Sequence, residues 1–150
     1  MPDVSVKTQY SVFLVNKPGV LAQVTQTLAD EKINIIAMTL VDSQEHGVLR
    51  FVTDDGDAIR EVLKKLNLPM TETEVLCLEL SNRPGSLAGV AGLLGKNHIN
   101  INYAYCTSGA PGGHTTGIFK VADLNKAQRL LKEKGGKHKE PDLHRAGSRH

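Results

Sequence analysis

VNKPGVLAQVTQTLADEKINI, residues 15–35, is the stretch whose reading decides the fold, because the chain repeats it. Asn82-Arg83-Pro84-Gly85-Ser86-Leu87-Ala88 restates its opening, and Ile99-Asn100-Ile101 restates its close. Asn16 returns as Asn82 and Ile33 as Ile99, both sixty-six residues on. Ten of the twenty positions from Asn16 to Ile35 are identical in the copy, and Lys17 becomes Arg83. Self-similarity at a fixed spacing means one structural unit built twice. Each unit is small enough to bury only about 60% of its unfolded surface, so it calls for a partner unit.

Both copies carry the same order of signals. Tyr10 to Val15 is apolar and β-rich and predicts a strand. Asn16-Lys17-Pro18-Gly19 breaks it. Val20, Leu21, Val24 and Leu28 then recur at helical spacing, with Pro18 suited to the first helical turn. Ile33 to Val41 predicts a second strand and Val48 to Thr53 a third. Asp54, Asp55 and Asp57 mark a helix start, and Ala58, Ile59, Val62, Leu63 and Leu66 give that helix one apolar face. Met70 to Leu80 is a long extended run that closes the first copy and opens the second. Later in the copy the spacing reads as sixty-nine: Asp54 aligns with Asp123, Ala58 with Ala127 and Arg60 with Arg129. Three residues are then inserted within the loop Thr107 to His114.

The unit is strand-helix-strand-strand-helix-strand, a split βαβ arrangement with helices on one face of an antiparallel sheet. The fold class expected is α+β: two ferredoxin-like βαββαβ units in tandem, over residues 1–70 and 71–134, followed by a basic, disordered tail over 135–150. The last strand of the second copy falls on Lys139-Glu140-Pro141-Asp142, where proline and charge oppose a strand. The N-terminal segment Val4 to Lys7 is the candidate to pair with the vacant edge.

Composition excludes several classes. The tail's Lys137, Lys139, Arg145 and Arg149 exceed its Glu140 and Asp142; the rest of the chain balances 14 basic against 14 acidic residues (18 less 4, 16 less 2). A neutral body argues against nucleic acid, which needs clustered cations. No apolar run approaches the ~20 residues of a membrane span. The start of the chain lacks a signal peptide's apolar core. Cys77 and Cys106 form no disulfide framework and no CxxC, so a reduced, cytoplasmic protein is expected. An RNA-binding module shares the topology but needs aromatic residues on its central strands, and 4% aromatic content weighs against it. A Cys106–His114 nucleophile pair is the one catalytic arrangement on offer. No third group orients it, so no catalytic residue, cofactor or metal site is assigned.

The repeated corner has a chemistry of its own. A helix N-terminus presents unpaired N–H groups and partial positive charge to a carboxylate or phosphate. Lys17 and Arg83 add charge, and Gly19 and Gly85 allow close approach. Asn16, Asn82, Asn34 and Asn100 offer amides for an ammonium. The same Asn-x-Pro-Gly sequence is also ordinary turn chemistry that needs no ligand.

These motifs resemble ACT domains, as a tandem pair covering about Tyr10 to Lys134. The resemblance implies a non-catalytic regulatory protein that binds a small amino acid or related metabolite at domain interfaces. Such a protein modulates a separate metabolic enzyme. Units too small to stand comfortably alone also lead us to expect a homodimer. It also leaves room for a subunit that acts on an amino-acid biosynthetic enzyme by contact alone. The implied ligand-binding residues are Asn16, Lys17, Gly19, Val20, Leu21 and Asn34 in one copy, and Asn82, Arg83, Gly85, Ser86, Leu87 and Asn100 in the other. Members that bind serine carry a histidine two residues before the first asparagine. Leu14 and Leu80 stand there in this chain, which leaves the ligand open.

Overall fold

The computed structural model describes residues 3–15, 17–42, 46–107 and 113–137. It contains six strands and four helices, in the order β1 (Val4–Val15), α1 (Val20–Asp30), β2 (Ala37–Asp42), β3 (His46–Val52), α2 (Gly56–Lys65), β4 (Met70–Ser81), α3 (Ser86–Lys96), β5 (Ile101–Cys106), β6 (His114–Val121) and α4 (Leu124–Lys137). The class is α+β, with antiparallel strand pairing. The residues fall into two compact units. One is Lys7–Glu74; the other joins Met1–Val6 to Val75–His150.

In the unit of Lys7–Glu74 the strands lie in the order β2-β3-β1-β4. Tyr10, Val12 and Leu14 alternate along β1, so period-two geometry puts them on one face. There they meet Val24 and Leu28 of α1, Leu49 and Phe51 of β3, and Ile59, Val62 and Leu63 of α2. Tyr10 and Phe51, paired across β1 and β3, set their ring centroids 5.8 Å apart. Asp55 caps α2 by accepting a hydrogen bond from the Ala58 N–H at 3.3 Å.

The other unit repeats this core position by position. Leu76, Leu78 and Leu80 of β4 replace Tyr10, Val12 and Leu14; Val90 and Leu94 of α3 replace Val24 and Leu28; Ile99 replaces Ile33. Beyond β5 the repeat is sixty-eight, not the sixty-nine expected from sequence. Phe119 faces Leu76 as Phe51 faces Tyr10, and Asp123 accepts from the Lys126 N–H as Asp55 accepts from Ala58. Ala127 therefore stands in for Ile59 and Leu131 for Leu63, all essentially inaccessible. The insertion is two residues. The acidic run Asp54-Asp55 makes the spacing ambiguous by one residue in sequence, and only the second carboxylate is the cap.

The N-terminal segment occupies the place expected of it. The Glu79 N–H donates to the Asp3 carbonyl at 3.1 Å, and Val4 and Val6 pack against the cluster of Leu76, Leu78 and Leu80. β1 and β4 are each 12 residues long and each is shared between the units: residues 4–6 and 7–15 of β1, 70–74 and 75–81 of β4. Two other expectations shift. Pro18 precedes the helix, in the turn before Gly19, because α1 begins at Val20. α4 runs through Lys137, past the boundary set at 134, and the tail from 138 lies outside the described residues.

The helix ends also repeat. At the end of α1 the Ile33 N–H bonds the Leu28 carbonyl (2.9 Å) and the Lys32 N–H bonds that of Ala29 (2.9 Å), with Lys32 at φ 59. Ile99 to Leu94 and His98 to Gly95 restate it, with His98 at φ 60. This is the Schellman closure, here without the usual glycine. It places Lys32 and His98 at exposed helix ends.

Candidate functional site

The strand-to-helix corner has the same hydrogen bonds in both units. In the first, the Lys17 N–H donates to the Val15 carbonyl (2.9 Å) and the Val20 N–H to Lys17 (3.4 Å); the first helical bond runs from Gln23 to Gly19 (3.0 Å). In the second, Arg83 donates to Ser81 (2.9 Å), Ser86 to Arg83 (3.3 Å) and Gly89 to Gly85 (2.9 Å). Gly19 and Gly85 hold φ at 87 and 91, in the left-handed region that a Cβ penalises. That turn is why glycine stands at both positions. The N–H groups of Leu87 and Ala88 precede the first helical donor, Gly89, so helix geometry directs them past the end of α3.

In the unit containing β4, β5 and β6 this corner opens into a cleft of about 440 Å³. Leu80, Ser81, Asn82 and Arg83 line it from the end of β4, Ser86 and Leu87 from the start of α3, Cys106 and Thr107 from the end of β5, and Thr115 from β6. The Asn82 N–H is tied to the Gly113 carbonyl at 2.8 Å, which fixes the corner against the base of the β5–β6 connection. Among the described residues the lining carries one charge, the Arg83 guanidinium, and no carboxylate. Four hydroxyls, from Ser81, Ser86, Thr107 and Thr115, and the Asn82 amide supply hydrogen-bonding groups. Leu80, Leu87 and Cys106 supply an apolar wall. Such a site suits a small carboxylate with a short polar substituent.

The structure gathers Asn82, Arg83, Ser86 and Leu87 of the sequence-derived set here, with Gly85 shaping the turn behind them. It does not bring Asn100 to them. Asn100 precedes β5, and Cys106 ends it; six residues at about 3.3 Å each separate the two by about 20 Å. The exposed Asn100 side chain is thus at the far end of the unit, with its carbonyl accepting from the Ala122 N–H at 3.0 Å. Asn34 holds the same position in the first unit and is exposed. There Lys17 and Gly19 are exposed in the turn, while Val20 and Leu21 pack against the core. Asn16 lies outside the described residues. Sequence reasoning missed Thr107, Thr115 and Ser81. Their membership depends on strand register, which places Ser81 opposite His114 and Leu80 opposite Thr115.

Leu14 and Leu80, 3% and 5% exposed, are core residues, although Leu80 also reaches the cleft. Cys106 and His114 do not form a pair. Cys106 faces Gly117 across the β5–β6 ladder, and His114 lies three residues further, about 10 Å along the strand and on the opposite face. Cys106 is an exposed residue, and the partial desolvation of its thiol against the cleft wall pushes it above its usual range, away from the thiolate a nucleophile needs. Among the described residues no group of three His, Cys, Asp or Glu side chains converges as metal ligands. No helix among them is long and apolar enough to cross a membrane.

A protein-family model described as an ACT domain pair matches residues 5–143. The fold is similar to that of protein BT0572 from Bacteroides thetaiotaomicron, at 32% identity and a TM-score of 0.81, over 88% of this chain and 90% of that one. It is also similar to the ligand-free regulatory subunit of aspartate kinase from Thermus thermophilus, at 16% identity and a TM-score of 0.64, over 89% and 96% of the two chains. The regulatory subunit of aspartate kinase from Thermus flavus shares the fold at 16% identity and a TM-score of 0.58, over 88% and 95%. No curated protein matches the sequence.

Proposed function

The chain belongs to the family of ACT domain pairs, and on that premise we propose that it is a non-catalytic, cytoplasmic regulatory protein. It binds a small amino acid or related metabolite at its Asn-x-Pro-Gly corners and so modulates a separate enzyme of amino-acid metabolism. The observation that carries this reading is the cleft that collects Asn82, Arg83, Ser86 and Leu87 at the start of α3. Arg83 and the first-turn N–H groups favour a carboxylate, and the Asn82 amide with the surrounding hydroxyls completes its hydrogen bonding.

Asn34 and Asn100 act from a neighbouring molecule in this reading. Each stands about 20 Å from the corner of its own unit, so it completes a site only across a homodimer. Ligand binding then favours the paired arrangement, which is the only way it can shift an equilibrium: by binding one state better than the other. The likeness in fold to regulatory subunits of aspartate kinase makes an amino-acid biosynthetic kinase the class of partner to test first.

A thermal-shift screen of the full chain against the twenty amino acids tests the proposal. Ligand held only by the folded state raises the melting temperature, by about 2.7 kcal/mol of stabilisation at a hundredfold excess over Kd. At least one amino acid is expected to do so, and Asn82→Ala is expected to abolish the effect. A flat screen, with an enzyme nonetheless co-purifying, would instead favour a subunit acting by contact alone.

A further inference from the structure

The two corners share a backbone but not a surface. Aligning the units by their strand registers gives each cleft residue a counterpart in Lys7–Glu74. Ser81 corresponds to Val15, Ser86 to Val20, Cys106 to Leu40, Thr107 to Val41 and Thr115 to Gly47. Every hydroxyl of the cleft is thus a hydrocarbon or a hydrogen atom in the other unit. Three of the counterparts, Val15, Leu40 and Val41, are 50%, 47% and 42% exposed. The floor differs as well. Leu49, fully buried, fills the sheet face of the first unit, whereas its counterpart is Gly117, beside Cys106 and Leu80.

From this divergence we infer that polar ligand binding is confined to the second unit, one molecule per chain, and that the cleft recognises a carboxylate without requiring an amino group. The inference rests on the ligand-binding reading above and narrows it. A carboxylate meets the Arg83 charge and hydroxyl donors there; among the described residues, the corresponding positions of the first unit offer no hydroxyl to take the remaining lone pairs, and burying them unmet is costly. An ammonium finds no carboxylate among the described residues of the cleft lining. The Asn82 carbonyl and the hydroxyl oxygens accept an O–H as readily as an N–H. A 2-hydroxy acid therefore keeps every hydrogen bond its amino acid makes in this lining. The mix of hydroxyls with Leu80 and Leu87 favours a short side chain that is part polar and part methyl.

Isothermal titration of the full chain with L-threonine, and separately with its 2-hydroxy analogue 2,3-dihydroxybutyrate of the same configuration, tests this. Both are expected to bind at one per chain, with dissociation constants within about tenfold of each other, the worth of one neutral hydrogen bond. Ser86→Val and Thr107→Val, which install the residues the first unit carries at those positions, should each weaken both by about tenfold. Val41→Thr in the first unit should change neither. A ratio other than one per chain, a response to Val41→Thr, binding of threonine alone, or binding of neither probe would overturn the inference. The amino-acid screen stands apart from these outcomes: an amino acid that stabilises the chain while both probes fail leaves the regulatory reading intact and removes only this one.

Discussion

Replacing Gly117 by alanine sets two effects of opposite sign against each other. Alanine restricts the unfolded chain and is better tolerated in a strand interior than glycine, which by itself stabilises by about 0.5–1 kcal/mol. Against this, a Cβ at Gly117 would lie 2.9 Å from Phe119 Cε1, 3.2 Å from Leu80 Cδ1 and 3.6 Å from Cys106 Sγ. The sulfur contact is ordinary, and the leucine methyl can swing. Phe119 is 1% exposed and packed with Leu76 and Leu78, so its ring has nowhere to retreat. Overpacking a filled core costs about 1–3 kcal/mol. The clash wins, by about 1–2 kcal/mol net, and at about 2–4 °C per kcal/mol for a chain of this size the melting temperature falls by about 5 °C. Gly47→Ala is the internal control. Its Cβ would meet nothing closer than Leu40 Cδ1 at 3.6 Å, so it should be neutral or slightly stabilising. Thermal melts followed by circular dichroism read both. A Gly117→Ala protein as stable as the parent would mean that the β6 floor is not packed as described, and the account of the cleft would go with it.

Lys32→Gly and His98→Gly should each raise stability by about 0.5–1 kcal/mol, since both residues hold positive φ at exposed helix ends; a fall in the denaturation midpoint would contradict the Schellman assignment. Gly92→Ala, inside α3 with open space around its Cβ, should add about 1 kcal/mol by the same measurement. Deleting Met1 to Val6 strips Val4 and Val6 from the second unit's core and should lower the melting temperature by about 5 °C or more; no change would mean the segment contributes nothing to that edge. Cys106 should alkylate more slowly with iodoacetamide at pH 8 than a free thiol does. Its folded pKa is raised, so thiolate accumulates only at higher pH, and a rate above that of free cysteine would refute the desolvation read from the cleft.

Periodicity and punctuation made the architecture readable from the chain. The alternation of Tyr10, Val12 and Leu14, the helical spacing of Val24 and Leu28, and the doubled Asn-x-Pro-Gly are local signals, each written in residues close in sequence. Even the use of Val4 to Lys7 on a vacant edge followed locally, from the proline and charges at Lys139 to Asp142 that make a poor strand. The family came from the same motifs. What local signals could not supply was register. Two adjacent aspartates, Asp54 and Asp55, left the second half of the repeat one residue out of step. That slip hid the replacement of buried Leu49 by Gly117.

The sequence by itself determined that one βαββαβ unit is built twice and that each copy begins its first helix on a glycine corner, because hydrophobic period and turn chemistry act over a few residues. Only the tertiary structure decided which corner is polar. Ser81, Ser86, Thr107 and Thr115 are up to thirty-four residues apart and become neighbours through strand pairing, where a shift of one position turns a side chain to the opposite face. It also separated Asn82 from Asn100, because a helix and the strand that returns beside it carry the second asparagine to the far end of the unit.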